Sequence, residues 1–252
     1  MEIDLFHINA TPFWLLAIIG VLLTGISKSG LAGGAGVLAV PLMALYIPVP
    51  MAAAISLPLL WLMDVKTVYS YRDAIDRALL WQLCPAAFIG VAAGGLLLGK
   101  VDDIQLQLIL GVLSIIFAVW SSLTKLLSCF SNAGLIWGGL AGVTSTLLHA
   151  GGPPLSIFLL GRDVDKRQWL GTAACFFAVI NIIKAVPYTL NNQWSEQQWW
   201  VSLALLPFAW FGVGLGVWLA KKINQIRFIY IARSMLFLAG IMLVYKGIAQ
   251  QC

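Results

Sequence analysis

From Pro12 onward, apolar runs follow one another with only short polar loops between them. Ten runs can be marked, at approximately 12–27, 31–47, 51–69, 79–99, 105–124, 132–148, 152–161, 168–188, 198–220 and 226–248. A helix of about 20 apolar residues is long enough to cross the hydrocarbon core of a bilayer, and most of these runs approach that length. A water-soluble fold must cover itself with polar side chains. Here 10% of the 252 residues are charged, 61% are hydrophobic and mean hydropathy is +0.93, whereas soluble domains carry roughly 25% charged residues. The expected fold class is therefore all-α, a polytopic transmembrane helical bundle of about eight to ten membrane segments. No length is left for a sizeable soluble domain.

The net charge of +5 is spread over short loops. It forms no basic–aromatic module of the kind that binds nucleic acid, so no nucleic-acid partner is expected. Cys84, Cys129, Cys175 and Cys252 show no metal-ligand or redox spacing, and they read as inert packing residues. No metal or cofactor is expected. Glu2 and Asp4 stand where a signal peptide needs a basic region, so the stretch from Pro12 is expected to remain in the mature protein.

The two halves resemble each other. Adding 117 carries Gly25 to Gly142, Ser27 to Thr144, Ser29 to Thr146, Gly34 to Gly151 and Asp64 to Asn181. Adding 122 carries Pro85 to Pro207, Gly90 to Gly212 and Gly94 to Gly216. The shared residues are Gly, Pro and polar ones, which chance matching of apolar sequences would not favour. We read residues 1–125 as a first transmembrane repeat and 126–252 as a second, together forming one integral membrane domain. Each holds five segments, an odd number, so the second must be inverted relative to the first.

Loop charge agrees with inversion. The basic loops hold Arg72 and Arg77, then Arg162, Lys166 and Arg167, then Lys221, Lys222 and Arg227. Cytoplasmic loops collect such residues. The loops with Lys100, Asp102 and Asp103, and with Glu196, fall outside, and both termini follow them. Trp194, Trp199 and Trp200 flank an outer span end, as an interfacial belt would. Runs 31–47 and 152–161 are the weakest. Hydropathy does not decide whether they cross or form re-entrant hairpins, because either route returns the chain to the same side.

Two stretches interrupt the apolar pattern at corresponding places, Gly25–Gly36 and Gly142–Pro154. Their glycines and prolines predict helix breaks. Irregular backbone at membrane depth is tolerated where it lines a cavity, and paired interruptions mark a transporter's binding site. A broken helix also presents a positive dipole end and free N–H groups, which suit an anion. Ser27, Lys28, Ser29, Gly33, Gly34, Thr144, Thr146, His149, Gly151, Asn181 and Lys184 are the candidate substrate-binding residues. Asp64 and His149 are the candidates for proton coupling, since ionisable groups inside a bilayer are expensive and functional by default. Some glycines, such as Gly90, Gly94 and Gly95, serve helix packing alone.

The stretches SKSGLAGGAGVLAVPLMAL, AAAISLPLLWLMD and YRDAIDR resemble the first half of the TauE/SafE sulfite-exporter family, also called toluene-sulfonate uptake permeases. TSTLLHAGGPP and DKRQWLGTAACFFAVINIIKAVPY resemble its second half. The resemblance implies an inner-membrane permease for small sulfur-containing anions such as sulfite or sulfonates. It also implies seven or eight spans, which favours hairpins at the two weak runs.

The function expected is anion transport by alternating access, ion-coupled or gradient-driven, with the anion and the lipid bilayer as partners. A homo-oligomer is compatible with everything above. No P-loop is present, because Lys28 precedes its glycines rather than following them. Two other classes compete. An intramembrane serine enzyme would use Ser29 and His149, but position 27 is Ser where a Gly-x-Ser-Gly pattern needs Gly. A membrane-embedded interaction subunit would leave the duplicated polar interruptions without a purpose.

Overall fold

The computed structural model describes residues 8, 10–30, 38–119, 133–160, 162, 164–220 and 225–250, the side chains of 225–232 aside. Among them are ten α-helices, one 3₁₀ turn and no strand. The order is α1 (Thr11–Gly30), α2 (Ala39–Met43), α3 (Val49–Tyr71), the 3₁₀ turn Arg72–Ala74, α4 (Arg77–Leu97) and α5 (Asp103–Ala118). After residues 120–132 follow α6 (Gly134–Leu148), α7 (Gly152–Leu160), α8 (Lys166–Leu190), α9 (Glu196–Leu219) and α10 (Gln225–Ala249). Helices α1, α3, α4, α8 and α9 are each long and apolar enough to cross a membrane.

Local chemistry sets the boundaries. Asp76 caps α4 by accepting from the Ala78 and Leu79 N–H groups, and Asp165 caps α8 by accepting from Gln168. Ser195 and Gln198 form a capping box at α9. Such caps satisfy N–H groups that no earlier turn can reach. The α3 start is tied to α5 by the Asp103 carboxylate, which accepts the Val49 N–H at 2.9 Å.

The closest packings pair α4 with α6, α1 with α9 and α5 with α10. Helix α3 packs on both α8 and α9, and α8 on both α3 and α4. Glycine makes the first two contacts possible. A Cβ on Gly25 would lie 3.0 Å from the Gly212 carbonyl carbon, and one on Gly142 would lie 2.9 Å from the Val91 N. In lipid, where apolar side chains gain nothing by leaving the solvent, close backbone contact is the main source of helix attraction.

One end of the bundle gathers the basic loops. Arg167 pairs with Asp73 at 2.5 Å, Arg162 donates to Gln82 at 3.0 Å, and Lys166 donates to the Ala220 carbonyl at 3.3 Å. The opposite end holds Asp103, Lys100, Asn191 and Glu196.

Helix α7 has nine residues, which at about 1.5 Å each span about 14 Å, under half of a hydrocarbon core of about 30 Å. It starts beside the end of α6 and returns to the basic end, where Phe158 packs 3.1 Å from a Cβ built on Gly134. Helices α6 and α7 thus pack against each other as a helical hairpin. Run 31–47 contains only the five residues of α2 as described helix, and residues 31–37 lie outside the described set.

One expectation needs correction. The predicted helix breaks begin later than expected. Helix α1 continues through Gly25, Ser27, Lys28 and Ser29 to Gly30, and α6 continues through Thr144 and Thr146 to Leu148. In the bilayer an unpaired backbone group is more costly than a poor helix former, so glycine propensity yields to hydrogen bonding. Trp194 is half-buried and packs on Trp61, Tyr188 and Trp199, while Trp199 and Trp200 are exposed.

Candidate functional site

The polar residues of α1, α3, α6 and α8 meet in the middle of the bundle. The Lys28 Nζ lies 2.6 Å from Asp64 Oδ1, and Asn181 Nδ2 donates to Asp64 Oδ2 at 2.6 Å. Asp64 and Asn181, the repeat mates, therefore touch where α3 crosses α8, and both are buried. The Asn181 Oδ1 is buried with no hydrogen-bond partner. One turn further along α8, Lys184 is fully buried at 0% exposure. Its Nζ donates to Ser145 O at 3.0 Å and to Ser145 Oγ at 3.0 Å, and it lies 2.9 Å from His149 Nδ1. None of these neighbours is a carboxylate. Among the described residues the ion pairs are Lys28–Asp64 and Arg167–Asp73, so Lys184 has no carboxylate of its own.

His149 ends α6 with φ 53°, a left-handed conformation that side chains other than glycine adopt rarely. Its ring holds it there. Both ring nitrogens face carbonyl oxygens, Nε2 that of Ala53 and Nδ1 that of Ser145, each at 2.9 Å, and Nδ1 also lies 2.9 Å from Lys184 Nζ, so either nitrogen can carry the proton. Ala53 belongs to a weakened stretch of α3. Pro58 has no N–H and leaves the Ala54 carbonyl without its helical donor. Trp194 Nε1 donates to Ala54 O at 3.1 Å, and Ser202 Oγ donates to the next carbonyl, Ile55 O, at 2.9 Å. Trp194 thus supplies the donor that Pro58 removes from Ala54 O, while His149 and Ser202 reach the flanking Ala53 and Ile55 carbonyls.

Of the other expected residues, Ser27 and Ser29 are buried beside Lys28. Ser29 Oγ donates to Gly25 O at 2.8 Å and lies 3.0 Å from Val213 O. Thr144 and Thr146 donate to the carbonyls four residues back, Leu140 and Gly142. The protons of Ser29, Thr144 and Thr146 are thus engaged within the bundle, the ordinary role of a hydroxyl in a membrane helix. Gly151 packs against the Ala141 carbonyl and the Phe177 ring, whose face carries Lys28 Nζ at 5.1 Å from its centroid. Gly33 and Gly34 lie outside the described residues. Pro153 and Pro154 open α7 without N–H groups, so that end offers its dipole more than its donors. Ser29 bonds backbone carbonyls and His149 bonds Ala53, Ser145 and Lys184, so the two form no dyad. Lys66 donates to Trp210 O at 2.7 Å and covers that ring, an anchoring role.

Sequence reasoning missed Tyr71, Tyr188 and Pro58. Tyr71 donates to Ser29 O at 2.6 Å and Tyr188 to Thr146 O at 2.8 Å. The signal was present, because adding 117 carries Tyr71 to Tyr188 as it carries Ser29 to Thr146. Asp64 also floors a groove of about 420 Å³ between α3 and α8, lined by Trp61, Val65, Tyr69, Arg72 and Ile182 among others.

A bundle of long apolar helices around a buried charged cluster is a multi-pass membrane protein built to handle ions or polar solutes. The family model for the sulfite exporter TauE/SafE matches residues 16–243. The chain belongs to that family, which makes it a membrane anion transporter. No curated protein and no solved structure matches it.

Proposed function

We propose that the protein is a permease for sulfite, a sulfonate or a related sulfur-containing organic anion, working by alternating access between two inverted repeats. The carrying observation is the charge balance of the buried cluster, in which two lysines face one carboxylate. A buried charge is tolerated when it is paired, and a substrate anion supplies the charge that Lys184 lacks. Lys28 and Lys184 would hold the anion, with Ser27, Asn181 and the α7 end around it.

Asp64 and His149 would couple the cycle to protons. Protonating Asp64 removes the partner of Lys28. Protonating His149 makes both ring nitrogens donors, one of them facing the Lys184 ammonium, which breaks that contact. Either event frees a lysine for the anion, so proton and substrate would bind together. The basic end of the bundle would face the cytoplasm, placing the protein in an inner, cytoplasmic membrane.

Proteoliposome flux of sulfite and of sulfonates, with and without a pH gradient, tests this reading. Flux should respond to the gradient and fall at least tenfold in Lys184→Ala. Wild-type flux in both Lys28→Ala and Lys184→Ala would remove the proposed site.

A further inference from the structure

The two tyrosine hydroxyls are placed alike at opposite ends of the bundle. Tyr71 closes α3 at the basic end, and Tyr188 lies in the last turn of α8 at the other. Each is buried, Tyr71 at 8% and Tyr188 at 0% exposure. Each donates to a backbone carbonyl of a neighbouring helix, Ser29 of α1 or Thr146 in the last turn of α6. The Ala150 N–H, which would close the next helical turn on Thr146 O, bonds Thr144 O instead, so the Tyr188 hydroxyl supplies a donor that the end of α6 lacks. Each hydroxyl is thus supplied from a neighbouring helix, and it seals that end of the contact between the helices.

The chemistry of such a bond makes it directional. Separating the hydroxyl from the carbonyl in a dry interior strands both groups, which is costly. Separating them where water enters costs little, because water replaces both bonds. Each bond can therefore open only together with wetting of its own end of the bundle.

The two bonds also bracket the charged cluster. On α3, Tyr71 is two turns from Asp64, and its acceptor Ser29 adjoins Lys28. On α8, Tyr188 is one turn from Lys184, and its ring stacks on His149 with centroids 6.1 Å apart. The Tyr188 ring also packs on Trp194, which packs on Trp61. Asp64 and Arg72 both line the open, apolar groove between α3 and α8.

We infer that Tyr71 and Tyr188 are the hydrogen-bond latches of two gates, Tyr71 closing the path from the charged cluster to the basic face and Tyr188 closing the path to the opposite face. The inference rests on the alternating-access reading above. Both latches are closed in this structure, and the Tyr188 side is the more heavily covered. In a working cycle one latch opens while the other holds, so removing one hydroxyl should bias the protein toward opening at that end alone.

The test is labelling by a membrane-impermeant maleimide in a background with the native cysteines replaced. Two buried positions on α3 serve as reporters, Thr67→Cys below Tyr71 and Ala54→Cys beside Tyr188. Tyr71→Phe should raise labelling of the Thr67→Cys reporter from the basic face at least threefold and leave the Ala54→Cys reporter protected. Tyr188→Phe should do the reverse, from the opposite face. Labelling that rises at both reporters in both variants indicates general loosening and overturns the inference, as does labelling that rises at neither. Labelling needs no substrate, so a wrong anion in the proposed function leaves this readout intact, while absent flux with opposed labelling shifts would count against the substrate alone.

Discussion

Asp64 and Asn181, matched by the 117-residue offset, differ by one carboxylate oxygen exchanged for an amide nitrogen. That difference is what lets them bond each other, since two aspartates would repel and two asparagines would leave Lys28 without a counter-charge. Asp64→Asn preserves the shape and strands the Lys28 ammonium. Breaking a buried pair this way should lower stability by about 3–5 kcal/mol, read as a fall in thermal unfolding temperature in detergent. Pairing it with Lys28→Met should recover most of the loss, because no unpaired charge then remains. The candidacy of Lys28, Asp64, His149, Asn181 and Lys184 was legible because each is a polar residue in an apolar run. Their partners were not. Whether Lys184 meets a carboxylate or other neighbours depends on the angle between α6 and α8, and that is a tertiary quantity.

Among elements, the α4–α6 contact rests on missing side chains. A Cβ at Gly142 would overlap the Ala87 carbonyl and lie 2.9 Å from Val91 N, whereas one at Gly139 has its nearest neighbour at 3.7 Å. Gly142→Ala should therefore destabilise by about 1–3 kcal/mol or more, since the obstacle is backbone that cannot rotate away. Gly139→Ala on the same helix should be close to neutral. A pair of thermal melts separates the two, and equal effects would contradict the packing. The expected helix breaks show the limit of local reading. Glycine and serine at 25–30 predict an interruption, yet α1 runs on, because in a bilayer the helix is the cheapest way to satisfy backbone groups. The left-handed turn at His149 needed contacts from Ala53 and Lys184, which lie 96 and 35 residues away.

For the whole molecule, the paired contacts exchange under the repeat correspondence. Helix α1 meets α9 as α6 meets α4, α3 meets α8, and α5 meets α10, as the proposed inverted repeat requires. The charge asymmetry of the two ends predicts sidedness. Asp73→Cys, in the basic loops, should react with an impermeant maleimide only from the cytoplasmic side of intact cells or vesicles. Asn192→Cys, between α8 and α9, should react only from outside. The same side for both would overturn the inverted arrangement. The hairpin of α6 and α7 adds that residues near 162 share the side of Asp73, as the Arg162–Gln82 and Arg167–Asp73 contacts require.

By itself the sequence determined that this chain lives in a bilayer as helices, because charge is too sparse to cover a soluble surface and hydropathy is a property summed along the chain. It also determined which residues are exceptional, through the offsets shared by the two halves. The tertiary structure decided what those residues do to one another. The Lys28–Asp64–Asn181 chain, the carboxylate-free setting of Lys184 and the tyrosine hydroxyls on Ser29 and Thr146 arise where separate helices cross. Crossing geometry is fixed by glycine contacts between distant segments, which no local pattern encodes.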